Sequence, residues 1–372
     1  MSAGDAPATG AAVDRALMAR ALALAAKGLY TTSPNPRVGC VVARGDRVLG
    51  EGWHERAGLP HAERLALDNA RANGHDVGGA TVYVTLEPCN HTGRTPPCVD
   101  ALIDARVGRV VAAMADPNPV ARGGAARLRE AGIAVEAGLL ADQAHELNPG
   151  FVSRMTRGRP WVRVKIAASL DGRSALMNGQ SRWITGPEAR ADGHAWRARA
   201  CAILTGIGTV RDDDPELTVR AVATTRQPLR IVVDRHAETP PGAKVLAGGN
   251  ALIVTARDVN ADWPAGTRTL ALPDADGRVD LRALMHELAL DGINELHVEA
   301  GARLNGALLD AGLVDEVVCY LAPSLIGDPS RGMFQRAAPL DDLATRAPLE
   351  LVDVARLGAD VRIVARVPRE PR

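Results

Sequence analysis

The chain has 372 residues, no formal net charge and 24% charged residues, so it is long for one ordinary core and two domains are expected. Basic residues form no run and aromatics make up only 3%, which argues against a nucleic-acid surface of clustered cations or stacked rings. Five cysteines without disulfide-like spacing suit a reducing cytoplasm, and the longest apolar segment, residues 16–26, is broken by Arg20 and too short to cross a membrane.

In chain order, Asp14 is placed to cap a helix that runs to about Lys27 and ends at Gly28. Ser33-Pro34-Asn35-Pro36 is a rigid loop, and its Asn35 amide reads either as a pyrimidine contact or as an ordinary turn asparagine. A buried strand over 40–43, a hairpin turn at Arg44-Gly45-Asp46-Arg47 and a return strand follow. Helices are expected from His61 to Asn73, from Cys98 through Ala105 and over 122–131, with strands over 81–86, 107–113 and 133–137. That alternation predicts a layered α/β sheet with its site at the strand C-termini.

Two short stretches in this half carry chemistry. His61-Ala62-Glu63 is followed by Pro88-Cys89 and then by Cys98. Imidazole and thiolates are zinc ligands, and three of them leave a fourth position for a water whose pKa the metal brings towards neutrality. Glu63, two residues after the histidine, is placed to move protons between that water and a substrate nitrogen, which is what hydrolytic deamination of an aminopyrimidine needs. A structural zinc clip would show four ligands and short Cys-x-x-Cys knuckles instead.

The run Glu87-Pro88-Cys89-Asn90-His91-Thr92-Gly93-Arg94-Thr95-Pro96-Pro97-Cys98, with Gly52-Trp53-His54 and Gly58-Leu59-Pro60-His61-Ala62-Glu63, resembles the deaminase half of the bifunctional riboflavin-biosynthesis deaminase/reductase family. The resemblance implies a cytidine-deaminase-like three-layer α/β/α domain over 12–148. It also implies that Asn35, His54, His91, Arg94, Asp116 and Asn118 surround a pyrimidine and its phosphoribosyl tail, with Arg94 suited to a phosphate.

Turn residues cluster from Asn148-Pro149-Gly150 to Gly158-Arg159-Pro160, and strand alternation restarts at Trp161. Two strands then open through glycine into helices, at Gly206-Ile207-Gly208 and at Gly301, a recipe for holding a pyrophosphate on backbone N–H groups; neither matches Gly-x-Gly-x-x-Gly. The same family resemblance implies a dihydrofolate-reductase-like α/β domain over 149–368 that uses NADPH to reduce a ribosyl group to ribityl. Ala167, Trp183, Thr209, Asp213 and Gly301 match cofactor positions; Lys165, Ser181, Arg197, Leu217, Arg220 and Glu299 match substrate positions. The run Arg211-Asp212-Asp213-Asp214 and Arg235 depart from the family pattern, and Arg235 would favour the extra phosphate of NADPH. The expectation is a cytoplasmic homo-oligomer, dimer or tetramer, acting on a small phosphorylated pyrimidine and binding neither nucleic acid nor membrane. A deaminase of nucleic-acid bases, and a deaminase whose second domain only binds a ligand, are the rival readings.

Overall fold

The structure, a computed structural model, describes residues 10–93 and 96–368. The chain divides into two compact units after Arg157.

The first unit runs through α1 (Gly10–Ala26), β1 (Gly39–Arg44), β2 (Arg47–Trp53), α2 (Ala62–Ala72), β3 (Thr81–Val84), α3 (Cys98–Asp104), β4 (Arg109–Ala112), α4 (Gly124–Glu130), β5 (Ala134–Ala137), α5 (Ala141–Leu147) and α6 (Pro149–Arg157). Its sheet has the order β2-β1-β3-β4-β5, with β1 antiparallel to both neighbours and the rest parallel. Helices cover both faces because small residues admit them. A Cβ on Gly39 would lie 2.0 Å from the Ala21 carbonyl of α1, and one on Gly50 would lie 2.3 Å from the Ala66 carbonyl of α2. Between these layers Val41, Val42, Val82, Leu67 and Leu102 are wholly buried.

Two expectations change here. Asp14 does not cap α1 but lies inside it, where its carboxylate accepts from Arg109 at 2.7 Å and from the Tyr83 hydroxyl at 2.5 Å. Those partners reach it through the fold, so no cap motif was needed. The division also falls after Arg157 instead of between 148 and 149, because α6 puts Phe151 into the core of the first unit.

The second unit contains β6 (Trp161–Ser169), β7 (Ala175–Leu176), α7 (Pro187–Arg199), β8 (Ala202–Gly206), α8 (Ile207–Asp213), β9 (Leu229–Val233), β10 (Ala251–Thr255), β11 (Thr267–Ala271), α9 (Leu281–Leu290), β12 (Glu295–Val298), α10 (Ala302–Asp310), β13 (Glu316–Ala322), β14 (Ser330–Arg331), β15 (Glu350–Leu357) and β16 (Asp360–Arg366). Nine strands form one sheet in the order β11-β10-β9-β8-β12-β6-β13-β16-β15. The first seven are parallel, and β16 and β15 add an antiparallel hairpin. From β8 the chain steps outward to β9, β10 and β11, whereas β12, β6 and β13 lie on the other side. The order therefore reverses beside β8, and ligands of such sheets bind at the strand C-termini of that point.

One face of this sheet packs Val162, Val164, Leu204, Leu296 and Val298 against Leu284, Leu288 and Leu308 of α9 and α10. The face beneath α7 is different. Arg163, 1% exposed, pairs with Glu316 at 2.5 Å and Glu295 at 3.1 Å and lies 4.5 Å from the Trp196 ring of α7. The same strands carry Lys165 and lead to Glu299 at the C-terminal edge, so a charged layer runs from the interior to the rim.

Candidate active sites

In the first unit His61 is the N-cap of α2 and Glu63 lies in its first turn, 4% exposed. Cys89 follows β3, and Cys98 is the first residue of α3. These elements bring ligand atoms of His61, Cys89 and Cys98 within 4.8 Å of one another. The His61 Nδ1 lies 3.2 Å from the Cys98 Sγ and 3.5 Å from the Cys89 Sγ. Tetrahedral zinc with bonds of about 2.3 Å to sulfur and about 2.0 Å to nitrogen sets those atoms roughly 3.5 Å apart, so the triangle fits the ion. Among the described residues no fourth His, Cys, Asp or Glu joins the group.

The electrostatics suit the same reading. Hydrogen bonds from Cys98 and His61 hold the Cys89 thiol down at about 4, while the same sharing pushes Cys98 well up. A thiol held towards its thiolate form is the state in which sulfur binds a dication. Burial pushes the Glu63 carboxyl up to about 7, and the nearby Cys89 adds to the rise. A buried carboxyl poised near neutrality can both take and return a proton. A cation on the triangle works the other way and favours its carboxylate form.

The His54 ring lies 5.3 Å from that of His61, and Asn35, His91, Asp116 and Asn118 occupy loops of the same unit. The His54 Nδ1 is 3.1 Å from the Pro60 carbonyl and its Nε2 is 3.1 Å from the Asn35 amide nitrogen. A carbonyl only accepts, so Nδ1 carries the proton and Nε2 accepts from Asn35. Burial lowers the pKa of His54, which keeps it neutral. Asp116 is buried, and its carboxyl is pushed up to about 6 by desolvation; it accepts from the Asn118 backbone N–H at 2.8 Å. His91 lies half-buried on the loop between the two cysteines. Arg94 falls outside the described residues.

In the second unit one cavity of about 1450 Å³ opens at the C-terminal ends of β6, β8 and β12. That exceeds the usual single-ligand pocket of about 300–1,000 Å³, so it has room for a dinucleotide and a second molecule together. All eleven expected residues line it: Ala167, Trp183, Thr209, Asp213 and Gly301, and also Lys165, Ser181, Arg197, Leu217, Arg220 and Glu299. The two glycine turns meet there, since Gly206 caps α8 and Gly301 caps α10, each without a side-chain cap. The Leu304 N–H donates to the Gly301 carbonyl at 3.1 Å, so the first-turn donors of α10 that face a ligand are those of Ala302 and Arg303.

The arginine nearest the centre is not an open anion site. Arg197 forks onto Glu299 at 2.5 and 2.9 Å and spends its remaining nitrogen on the Thr218 carbonyl. Burial works to raise the Glu299 carboxyl, but the Arg197 and Lys165 cations outweigh it and hold it well below the usual range. Lys165 Nζ is 3.8 Å from the same carboxylate. Arg220 is exposed and pairs with Glu216 and the Thr218 hydroxyl. Ser181 donates to Asp213 at 2.9 Å, and Trp183, 70% exposed, has Arg190 at 4.6 Å from its ring. The acidic run is spent on ion pairs: Asp212 with Arg331, Asp214 with Lys244. Arg235 reaches the Asp276 carbonyl and does not line the cavity. His194, which the sequence motifs do not single out, lines the cavity one helical turn before Arg197; helical spacing was the signal available.

Fold and site together define a zinc-dependent hydrolytic deaminase joined to an α/β reductase. Residues 11–114 match the family model described as the cytidine and deoxycytidylate deaminase zinc-binding region, and residues 160–363 match the RibD C-terminal domain. The riboflavin biosynthesis protein RibD of Escherichia coli is 47% identical over 362 residues, which cover 94% of this chain and 98% of that one. The solved structure of Acinetobacter baumannii RibD superposes with a TM-score of 0.88 at 40% identity, covering 96% of this chain and 100% of that one. A Thermotoga maritima deaminase/reductase does so with a TM-score of 0.88 at 33% identity, covering 97% and 100%. The chain belongs to the RibD family, the bifunctional deaminase and reductase of riboflavin biosynthesis.

Proposed function

We propose that the first unit hydrolyses the amino group from diaminohydroxyphosphoribosylaminopyrimidine and that the second reduces the resulting phosphoribosylaminouracil, the pair of activities for which the similar Thermotoga maritima protein is named. The observation that carries this reading is the His61–Cys89–Cys98 triangle with the buried Glu63 beside it.

When bound, zinc supplies the Lewis acid that makes water a nucleophile at neutral pH. His61, Cys89 and Cys98 hold it. Glu63 takes the proton of the attacking water and delivers it to the departing ammonia, so that the C–N bond breaks without a free anion leaving. Asn35 and His54 orient the amino-pyrimidine edge, with His91, Asp116 and Asn118 beside it and Arg94 on the phosphate.

In the second unit NADPH supplies the hydride when bound. Ala167, Trp183, Thr209, Asp213 and Gly301 hold it, the last through backbone N–H groups. Ser181, Leu217, Arg220, Arg197 and Glu299 position the substrate, and Lys165 protonates the developing alcohol as hydride reaches the sugar carbon. The enzyme works in the cytoplasm as a homo-oligomer, dimer or tetramer. The edge strand β15 supports assembly, because its Leu351 and Val354 are 71% and 58% exposed on an open sheet edge.

Supplying the purified enzyme with the diaminopyrimidine substrate tests the reading by product mass. Without NADPH the product should gain one atomic mass unit as an amino group becomes a carbonyl; with NADPH two further hydrogens should appear. Mass unchanged in both arms rejects the reading.

A further inference from the structure

We propose that Glu87 is a positioning residue for deamination, acting by clamping the loop between β4 and α4 that carries Asp116 and Asn118 together with the first turn of α4; this rests on the deaminase reading above. Glu87 stands between β3 and Cys89. Its Oε2 accepts from the Asp116 N–H at 3.1 Å, and its Oε1 accepts from the N–H groups of Gly123 and Ala125 at 3.1 and 3.0 Å. One carboxylate oxygen is therefore committed to the start of the loop and the other to its end and the first turn of α4.

The rest of the strand end reinforces the clamp. The Glu87 N–H donates to the Met114 carbonyl at 2.9 Å, and the Asn90 N–H donates to the Ala121 carbonyl at 2.9 Å. A Cβ on Gly124 would lie 1.8 Å from the Pro88 carbonyl, so only glycine lets the loop pass that close. The loop is then shaped from within, since Asp116 accepts from the Asn118 N–H at 2.8 Å and Asn118 accepts from the Val120 N–H at 3.1 Å. Residues 87–90 thus run beside the loop and carry Cys89 in the same segment. The zinc ligand and the two polar residues keep their spacing because Glu87 ties them.

Glutamine discriminates this role from simple packing. It has nearly the shape of glutamate but one accepting oxygen and one donating nitrogen. If the oxygen keeps Gly123 and Ala125, the NH₂ meets the Asp116 N–H donor to donor, and that tie is lost. The proposal acts on substrate placement and leaves the metal triangle alone.

The experiment compares wild type, Glu87→Gln and Glu87→Ala by deaminase kinetics, zinc content, reductase kinetics and amide hydrogen exchange. The expected result is a KM for deamination raised about tenfold in the glutamine variant, the size of one lost hydrogen bond to a charged group, with kcat within about twofold. Zinc content and reductase rates stay at wild-type values, and exchange at Asp116 quickens in the glutamine variant and at Gly123 and Ala125 too in the alanine variant. An unchanged KM, unchanged exchange, or activity lost in step with zinc overturns the proposal. If wild type itself does not deaminate, the functional reading fails, while the exchange data still report separately whether Glu87 holds the loop.

Discussion

The Asn35 amide nitrogen lies 3.1 Å from the His54 Nε2, and that contact settles which way the amide faces. The Pro60 carbonyl at 3.1 Å from Nδ1 makes Nε2 the acceptor, so Asn35 turns its NH₂ towards His54, and in the proposed function its carbonyl oxygen accepts from a donor on the substrate. A diaminopyrimidine offers such donors. Replacing Asn35 with Asp sets an acceptor against an acceptor, so kcat/KM for deamination should fall by roughly tenfold or more, with zinc content unchanged. An Asp variant with wild-type kcat/KM would contradict the assigned orientation.

Glu299 is the centre of the second site, holding Arg197 bidentately with Lys165 nearby. Glu299→Gln keeps the shape but removes the charge that orients both cations. Reductase kcat/KM should drop on the order of 10²-fold, because charge-assisted fork geometry is lost, while deamination by the first unit is unaffected. Separate assays of the two half-reactions on one preparation measure this directly.

The buried Arg163 gives stability a pH dependence. Burial acts to raise the Glu316 carboxyl, but Arg163 and neighbouring arginines outweigh it and leave it lowered. A carboxyl with a depressed folded pKa contributes its stability above the ordinary pKa, and that contribution is lost as pH falls through the folded value. Glu316→Gln should therefore cost about 3–5 kcal/mol at pH 7, as for a broken buried pair. The gap to wild type should narrow below about pH 4, where glutamate in the unfolded chain is also protonated. Denaturant unfolding of both proteins at the two pH values checks the sign.

The zinc triangle was legible because its parts are local motifs: His61 and Glu63 lie two apart on one helix start, Cys89 follows a strand in a Pro-Cys pair, and Cys98 begins a helix. Partners brought from afar were not. Asp14 read as a cap because nothing nearby reveals Arg109 and Tyr83, 95 and 69 residues on. The pairing of Arg197 with Glu299 was not legible because the two are 102 residues apart. Pro149-Gly150 looked like a linker, yet begins α6, since proline is at home in a first helical turn. The β15–β16 hairpin escaped notice because β15 is exposed along nearly its whole length, so no buried face patterns it.

In the proposed deamination three side chains hold zinc while Glu63 moves the protons. The direct measurement is zinc stoichiometry and deamination rate on Glu63→Ala. The variant should bind about one zinc per chain, as wild type does, and deaminate at a rate lower by roughly 10²–10⁴-fold, the usual worth of general acid–base catalysis, with reduction of supplied deaminated substrate intact. A variant that keeps its zinc and still releases ammonia at the wild-type rate would contradict that role of Glu63.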